Sequence, residues 1–141
     1  MSVSLYGSGQ TVIQAVSANN STQTSTTSTT PIASPITASI TPQSTTSKIL
    51  AQVNGTTYNN SAGQYTSVQI YRGTTALGTF VISNFVVSGA VTGTYTISFL
   101  DSPTTTSSTA YTLYFYVTGA TGYVNYGSSQ ATITLMEISG S

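Results

Sequence analysis

The chain has 141 residues, only four of which carry a side-chain charge: Lys48, Arg72, Asp101 and Glu137. The net charge is zero, and cysteine and histidine are absent. That excludes disulfide staples and thiolate or imidazole metal sites. It also argues against a nucleic-acid partner, because a duplex-binding surface needs several phosphate contacts from Lys or Arg. With 23 Ser, 29 Thr and 38% hydrophobic residues, the chain lacks the high charge and low hydrophobicity of disordered segments. It suits one domain with an extension better than two domains.

In chain order, a short alternating stretch over residues 11–16 gives way to a Ser/Thr-rich tract over 17–30, followed by Pro31, Pro35 and Pro42. Proline blocks a helix and is excluded from central strands. Residues 1–47 are therefore expected to form an extended N-terminal arm, with an edge strand at residues 36–40. No apolar run approaches the ~20 residues of a spanning helix, and no basic region precedes an apolar core at the N-terminus. Neither a membrane anchor nor a signal peptide is expected.

From Lys48 onward the pattern has period two, as half-buried antiparallel strands require. Ile49, Ala51 and Val53 share one face, and Val68 and Ile70 follow. Tyr95, Ile97 and Phe99 alternate with Thr94, Thr96 and Ser98. Tyr111, Leu113, Phe115 and Val117 oppose Thr112, Tyr114 and Tyr116, and Ala131, Ile133 and Leu135 close the series. Further strands are expected at 76–82, 85–88 and 123–126. Turn signals stand at Asn54-Gly55, Ser88-Gly89, Asp101-Ser102-Pro103 and residues 119–122. The expectation is an all-β fold in which residues 48–141 form an antiparallel β-sandwich of about seven to nine strands. A jelly roll is the first choice and an immunoglobulin-like sandwich the rival.

Chemistry is scarce. Asp101 opens Asp-Ser-Pro, where its carboxylate is expected to bond backbone N–H groups and fix a turn. Glu137, near the end of the last strand, is expected either to pair with Lys48 or Arg72 at a subunit contact or to face water. Serine and threonine nucleophiles need an activating base, and the glycines match no phosphate loop or dinucleotide fingerprint. No enzyme activity, catalytic residue, cofactor or metal is expected. The tyrosines carry the functional potential: Tyr58, Tyr65, Tyr71, Tyr114, Tyr116, Tyr123 and Tyr126 exceed what a small core needs. Each is a candidate for cross-strand packing, a subunit interface or stacking on a sugar ring.

The strands also carry a series of segments: residues 46–50 (Thr-Ser-Lys-Ile-Leu), 70–73 (Ile-Tyr-Arg-Gly), 98–103 (Ser-Phe-Leu-Asp-Ser-Pro), 106–113 and 132–138 (Thr-Ile-Thr-Leu-Met-Glu-Ile). With residues 14–17 and 26–30 upstream, the series resembles a domain of phage virion proteins. It is found in tail-fibre-like and head-decorating proteins of phages infecting cyanobacteria and other aquatic bacteria. The resemblance spans about residues 10–138. It implies a jelly-roll sandwich, often trimeric, on the outside of the particle, with no catalytic residues to carry over. In fibres this domain usually follows a long shaft, whereas this sequence starts almost directly in the lead-in. The expectation is therefore a capsid decoration or cement protein on the exterior of the head, a homotrimer contacting the major capsid protein or other virion proteins. The alternative is a tail-fibre or spike tip binding host-surface glycan.

Overall fold

The alternating segments become strands throughout. The computed structural model describes residues 2–5, 8–85 and 88–140. Within them run β1 (Ser2–Leu5), β2 (Ser8–Asn20), β3 (Thr24–Thr26), β4 (Ile32–Ile40), β5 (Lys48–Asn59) and β6 (Tyr65–Arg72). The second half holds β7 (Thr75–Phe85), β8 (Val91–Asp101), β9 (Thr109–Val117), β10 (Gly122–Val124) and β11 (Ala131–Ile138). A single 3₁₀ turn, Tyr126–Ser128, precedes β11. No helix among the described residues is long and apolar enough to cross a membrane.

The pairings are antiparallel and nested. Strand β6 pairs with β7, β5 with β8, β4 with β9 and β2 with β11. The chain is thus one long hairpin, its tip between Arg72 and Thr75, rolled so that β6 also meets β9 and β5 also meets β11. The result is two sheets, β2-β11-β5-β8 and β4-β9-β6-β7. This order is that of a jelly roll, and it decides against the immunoglobulin-like alternative. Along one edge β5 carries β8. Along the other it carries β11 over residues 48–54 and then β10 over residues 57–59, with β3 beyond β10.

The core lies between the sheets, and the expected inward faces are the observed ones. Ile49, Ala51 and Val53 of β5, Leu113 and Phe115 of β9, and Ile133 and Leu135 of β11 are all at most 1% exposed. Full burial of each of the Val, Leu, Ile and Phe side chains contributes about 1.5–3 kcal/mol.

Residues 1–47 do not form an arm beside a separate 48–141 domain. Strand β2 is laid along β11 from Val12 to Asn20, and β4 delivers Ile36 and Ile40 into the same core at 1% and 2% exposure. The prolines allow this because β4 is the terminal strand of its sheet. Pro35 falls where the β4–β9 register shifts, between Ala33 and Thr37, so its missing N–H interrupts a ladder already broken there. Pro31 and Pro42 flank the strand. The edge position expected for residues 36–40 is the one observed.

Other local expectations are corrected. Asn54-Gly55 is not a turn but the middle of β5. Glycine is needed there because the Tyr95 hydroxyl crosses it: a Cβ on Gly55 would lie 2.6 Å from Tyr95 Oη. Strand β7 runs unbroken to Phe85, so no separate strand starts there, and residues 86 and 87 lie outside the described residues. Strand β10 stops at Val124 because Asn125 takes the left-handed conformation (φ 55°), which Asn tolerates better than most residues.

Candidate interaction surface

The charged residues serve the fold. Asp101 ends β8 with its side chain turned inward. Arg72 Nη1 donates to both of its carboxylate oxygens at 2.7 Å, and the Tyr111 hydroxyl donates to Oδ2 at 2.7 Å. This ion pair and tyrosine bond take the place of the expected bonds to backbone N–H groups in the following turn. Burial pushes the Tyr111 hydroxyl above the usual tyrosine range, and the bond to Asp101 adds to the shift.

Glu137 is fully buried and pairs with neither Lys48 nor Arg72. Its carboxylate accepts from Gln14 Nε2 at 2.6 Å and from the backbone N–H of Gln43 at 2.7 Å. Gln14 Nε2 also donates to Thr41 O at 2.7 Å. Glu137 thereby ties β2 and β11 to the β4–β5 connection. Burial alone would raise its pKa. The hydrogen bonds from Gln14 and the loop backbone outweigh that and hold the carboxyl below its ordinary value. Both acids are thus engaged by hydrogen-bond donors, and Lys48 is exposed.

The seven candidate tyrosines divide between the two outer faces. On the larger sheet, Tyr58 of β5 faces Tyr123 of β10 across the ladder. Tyr126 stacks on Tyr58 at 4.0 Å and meets Tyr123 edge-on at 5.5 Å. Asn125 places this ring: its side-chain amide donates to Asn20 O, Asn20 Oδ1 and Thr22 O, and its backbone N–H to Thr56 O. Desolvation, followed by the neighbouring Tyr126, raises the Tyr58 hydroxyl above the ordinary value. Tyr126 is 38% exposed, so the triad presents ring surface to solvent.

On the smaller sheet, Tyr71 and Tyr114 stack at 3.8 Å, and Tyr116 meets Phe80 edge-on at 5.8 Å. Tyr65 stands at the start of β6, its backbone held by Thr118. All seven are half-buried except Tyr126. Tyr58, Tyr123 and Tyr126 form a triad on one sheet, while Tyr71 stacks on Tyr114 and Tyr116 meets Phe80 on the other, so the seven are spread over more than one site.

Sequence reasoning passed over the exposed aliphatic residues. Ala15, Met136, Leu50 and Leu100 stand opposite one another in a single row across all four strands of the larger sheet. On the side where β7 and β8 end their sheets, Phe80, Val81, Ile82 and Leu100 are 36–47% exposed. Between β7 and β8 lies a cleft of about 290 Å³. Ile70, Leu77 and Ile97 line its buried part, and Thr79, Thr96 and Ser98 its exposed part. The signals were present: three consecutive apolar residues in a strand cannot all face one core, and Leu100 is out of phase with Ile97 and Phe99.

No family model matches the chain, and no curated protein matches it. Among solved structures it is similar to the VP2 subviral particle of infectious bursal disease virus, with 11% identity and a TM-score of 0.48. That match covers 92% of this chain and 38% of that one. The Gt strain of the same virus gives 10% identity and a TM-score of 0.47, covering 90% of this chain and 37% of that one. A Stig cyclase, Fisc, from Fischerella sp. TAU gives 18% identity and a TM-score of 0.34 over 71% of this chain and 52% of that one. The chain spans less than two fifths of the viral chains.

Proposed function

We propose that this protein is a non-enzymatic structural component of a virion: a decoration or cement protein on the outer surface of a bacteriophage head, assembled as a homotrimer on the major capsid protein. The observation that carries the reading is a jelly roll whose charges are mostly turned inward, while tyrosine and aliphatic clusters face out. Jelly rolls recur in viral capsid and lectin domains. An outer surface with almost no charge buries against neighbours with few ions to desolvate, and its contacts are insensitive to salt. The segments ending in Phe-Leu-Asp-Ser-Pro and Leu-Met-Glu-Ile support the phage assignment through their resemblance to virion surface domains.

The second reading is a tail-fibre or spike tip. It is favoured by the Tyr58–Tyr123–Tyr126 triad, whose partly exposed rings suit stacking on a host-surface sugar. Cryo-EM of intact particles separates the two. Density for this domain repeated over the head, with the protein among the abundant bands of purified particles, supports decoration. Density confined to the tail, with loss of cell binding on Tyr126→Ala, supports the tip.

A further inference from the structure

The outer face of the larger sheet changes character along β5, whose outward side chains run Leu50, Gln52, Asn54, Thr56 and Tyr58. Tyr58 belongs to the tyrosine triad. Further along, Asn54 stands opposite Thr96 of β8 and Thr132 of β11, and Gln52 opposite Ser98 and Thr134. Extended chain puts Asn54 and Gln52 roughly 13 and 20 Å from Tyr58. Triad and polar field thus form one strip.

Gln52, Asn54, Thr94, Thr96 and Ser98 are exposed, and their side chains make no hydrogen bond among the described residues. Their amides and hydroxyls both donate and accept. No charge lies among them: Asp101 and Glu137 point inward, and Lys48 stands beyond Leu50, at the far end of β5 from Tyr58. The aromatic end is held rigid. Asn125 anchors the backbone before Tyr126 to Asn20, Thr22 and Thr56, and Gln23 Oε1 accepts from the backbone N–H of Gly127 at 2.7 Å. Tyr58 backs the Tyr126 ring, which remains 38% exposed. A ring already fixed loses little freedom when a ligand stacks on it.

The composition of the strip selects its occupant. A nucleic acid or acidic polymer finds no cation here to neutralise it. A protein partner with an apolar face would bury amides and hydroxyls without replacing their bonds to water, at a cost for each. A neutral sugar chain meets neither penalty, because its ring faces stack on tyrosine and its hydroxyls donate and accept at every unit. We infer that the outer face of the larger sheet binds an uncharged polysaccharide along β5, one sugar ring on Tyr126 and later units hydrogen-bonded to Asn54 and Gln52. The inference rests on the glycan half of the second reading above, not on its place at the tail, and extends the site from one ring contact to a strip.

The purified chain is titrated with neutral hexasaccharides of glucose, mannose and galactose and, separately, with acidic hexasaccharides of alginate and hyaluronate. Tyrosine fluorescence and backbone amide NMR shifts report binding. The expected result is saturable binding of at least one neutral series and of no acidic one, with shifts clustered on β5 and its neighbours. Tyr126→Ala should weaken binding about tenfold or more, and Asn54→Ala or Gln52→Ala roughly three- to tenfold. The two amide variants, both at exposed positions, should keep the wild-type melt, so they carry the test even where Tyr126→Ala disturbs its turn. Gln69→Ala, on the other sheet, should bind as the wild type does. Failure of every neutral series to bind overturns the inference, as does binding that both amide variants leave intact. Neutral-sugar binding by a protein that cryo-EM places on the head sinks the tip and leaves this site standing. Tail density, with cell binding lost on Tyr126→Ala but kept by both amide variants, does the reverse.

Discussion

Asp101 and Glu137 occupy the same row of the larger sheet, one on each side of Ile49, which pairs with both. Two strand spacings put their backbones roughly 10 Å apart, and both side chains point into the sandwich. Each meets a different set of donors, so the row is two structural anchors at one end of the core. Arg72→Ala leaves Asp101, 7% exposed, with the Tyr111 hydroxyl as its remaining side-chain donor. The expected loss is roughly 2–3 kcal/mol, read by urea denaturation. Asp101→Asn, which keeps an acceptor for Tyr111, should cost less. A wild-type midpoint for Arg72→Ala would refute the anchoring role.

The Glu137 carboxyl is held below its ordinary value of 4.5 in the folded chain. For a carboxylate with a depressed folded pKa, the stabilisation is complete above the unfolded value and is lost as the pH falls through the folded one. Stability should therefore fall on the acid side of about pH 4.5. Glu137→Gln, which places an N–H₂ group among donors, should lower stability at neutral pH and flatten the acid limb. Melting temperatures between about pH 6 and pH 3 test both parts. An unchanged acid limb would show that Glu137 is not its source.

Tyr95 is 4% exposed, and its hydroxyl has no hydrogen-bond partner among the described residues. Tyr95→Phe removes a desolvated hydroxyl and no bond, so a gain of about 1 kcal/mol is expected. The same hydroxyl occupies the space that a Cβ on Gly55 would enter. Gly55→Ala alone should destabilise by about 1–3 kcal/mol, and by clearly less in the Tyr95→Phe background. The double-mutant cycle should show coupling of at least about 0.5 kcal/mol. Additive effects would mean that the two residues do not meet in solution.

Deleting residues 1–30 removes β2 and β3, uncovers the edge of β11 and takes Val16 and Ala18 from the margin of the core. The truncated chain should lose its cooperative thermal transition, followed by circular dichroism. A truncated chain that still melted cooperatively would restore the division at residue 47.

The inward faces of β5, β6, β8, β9 and β11 were legible because each carries apolar or aromatic residues at every second position. Strand β2 was hidden because its inward positions carry Gln14, Val16 and Ala18, of which only Val16 is a large apolar residue. Strand β4 was hidden by Pro35, whose edge position a single strand does not reveal. The buried role of Glu137 was out of reach: its partners Gln14 and Gln43 lie 123 and 94 residues away. The tyrosines were identifiable as a surplus, but the gathering of Tyr58, Tyr123 and Tyr126 into a triad and of Tyr71 with Tyr114 into a stacked pair depends on cross-strand register.

The nesting of the hairpin also bears on how the molecule is made. Asn20 meets Ala131, and the backbone N–H of Thr11 reaches Ser139 Oγ, 128 residues away. Closing contacts of that span late makes folding slow, and a strand synthesised early must stay soluble without its mate. The Ser/Thr-rich tract around β2 and β3 suits that interval, since hydroxyl side chains keep a waiting strand hydrated. Once β11 arrives, β2 and β11 are laced side by side. Unravelling must then begin by parting β2 from β11, which makes the sandwich hard to fray from either strand.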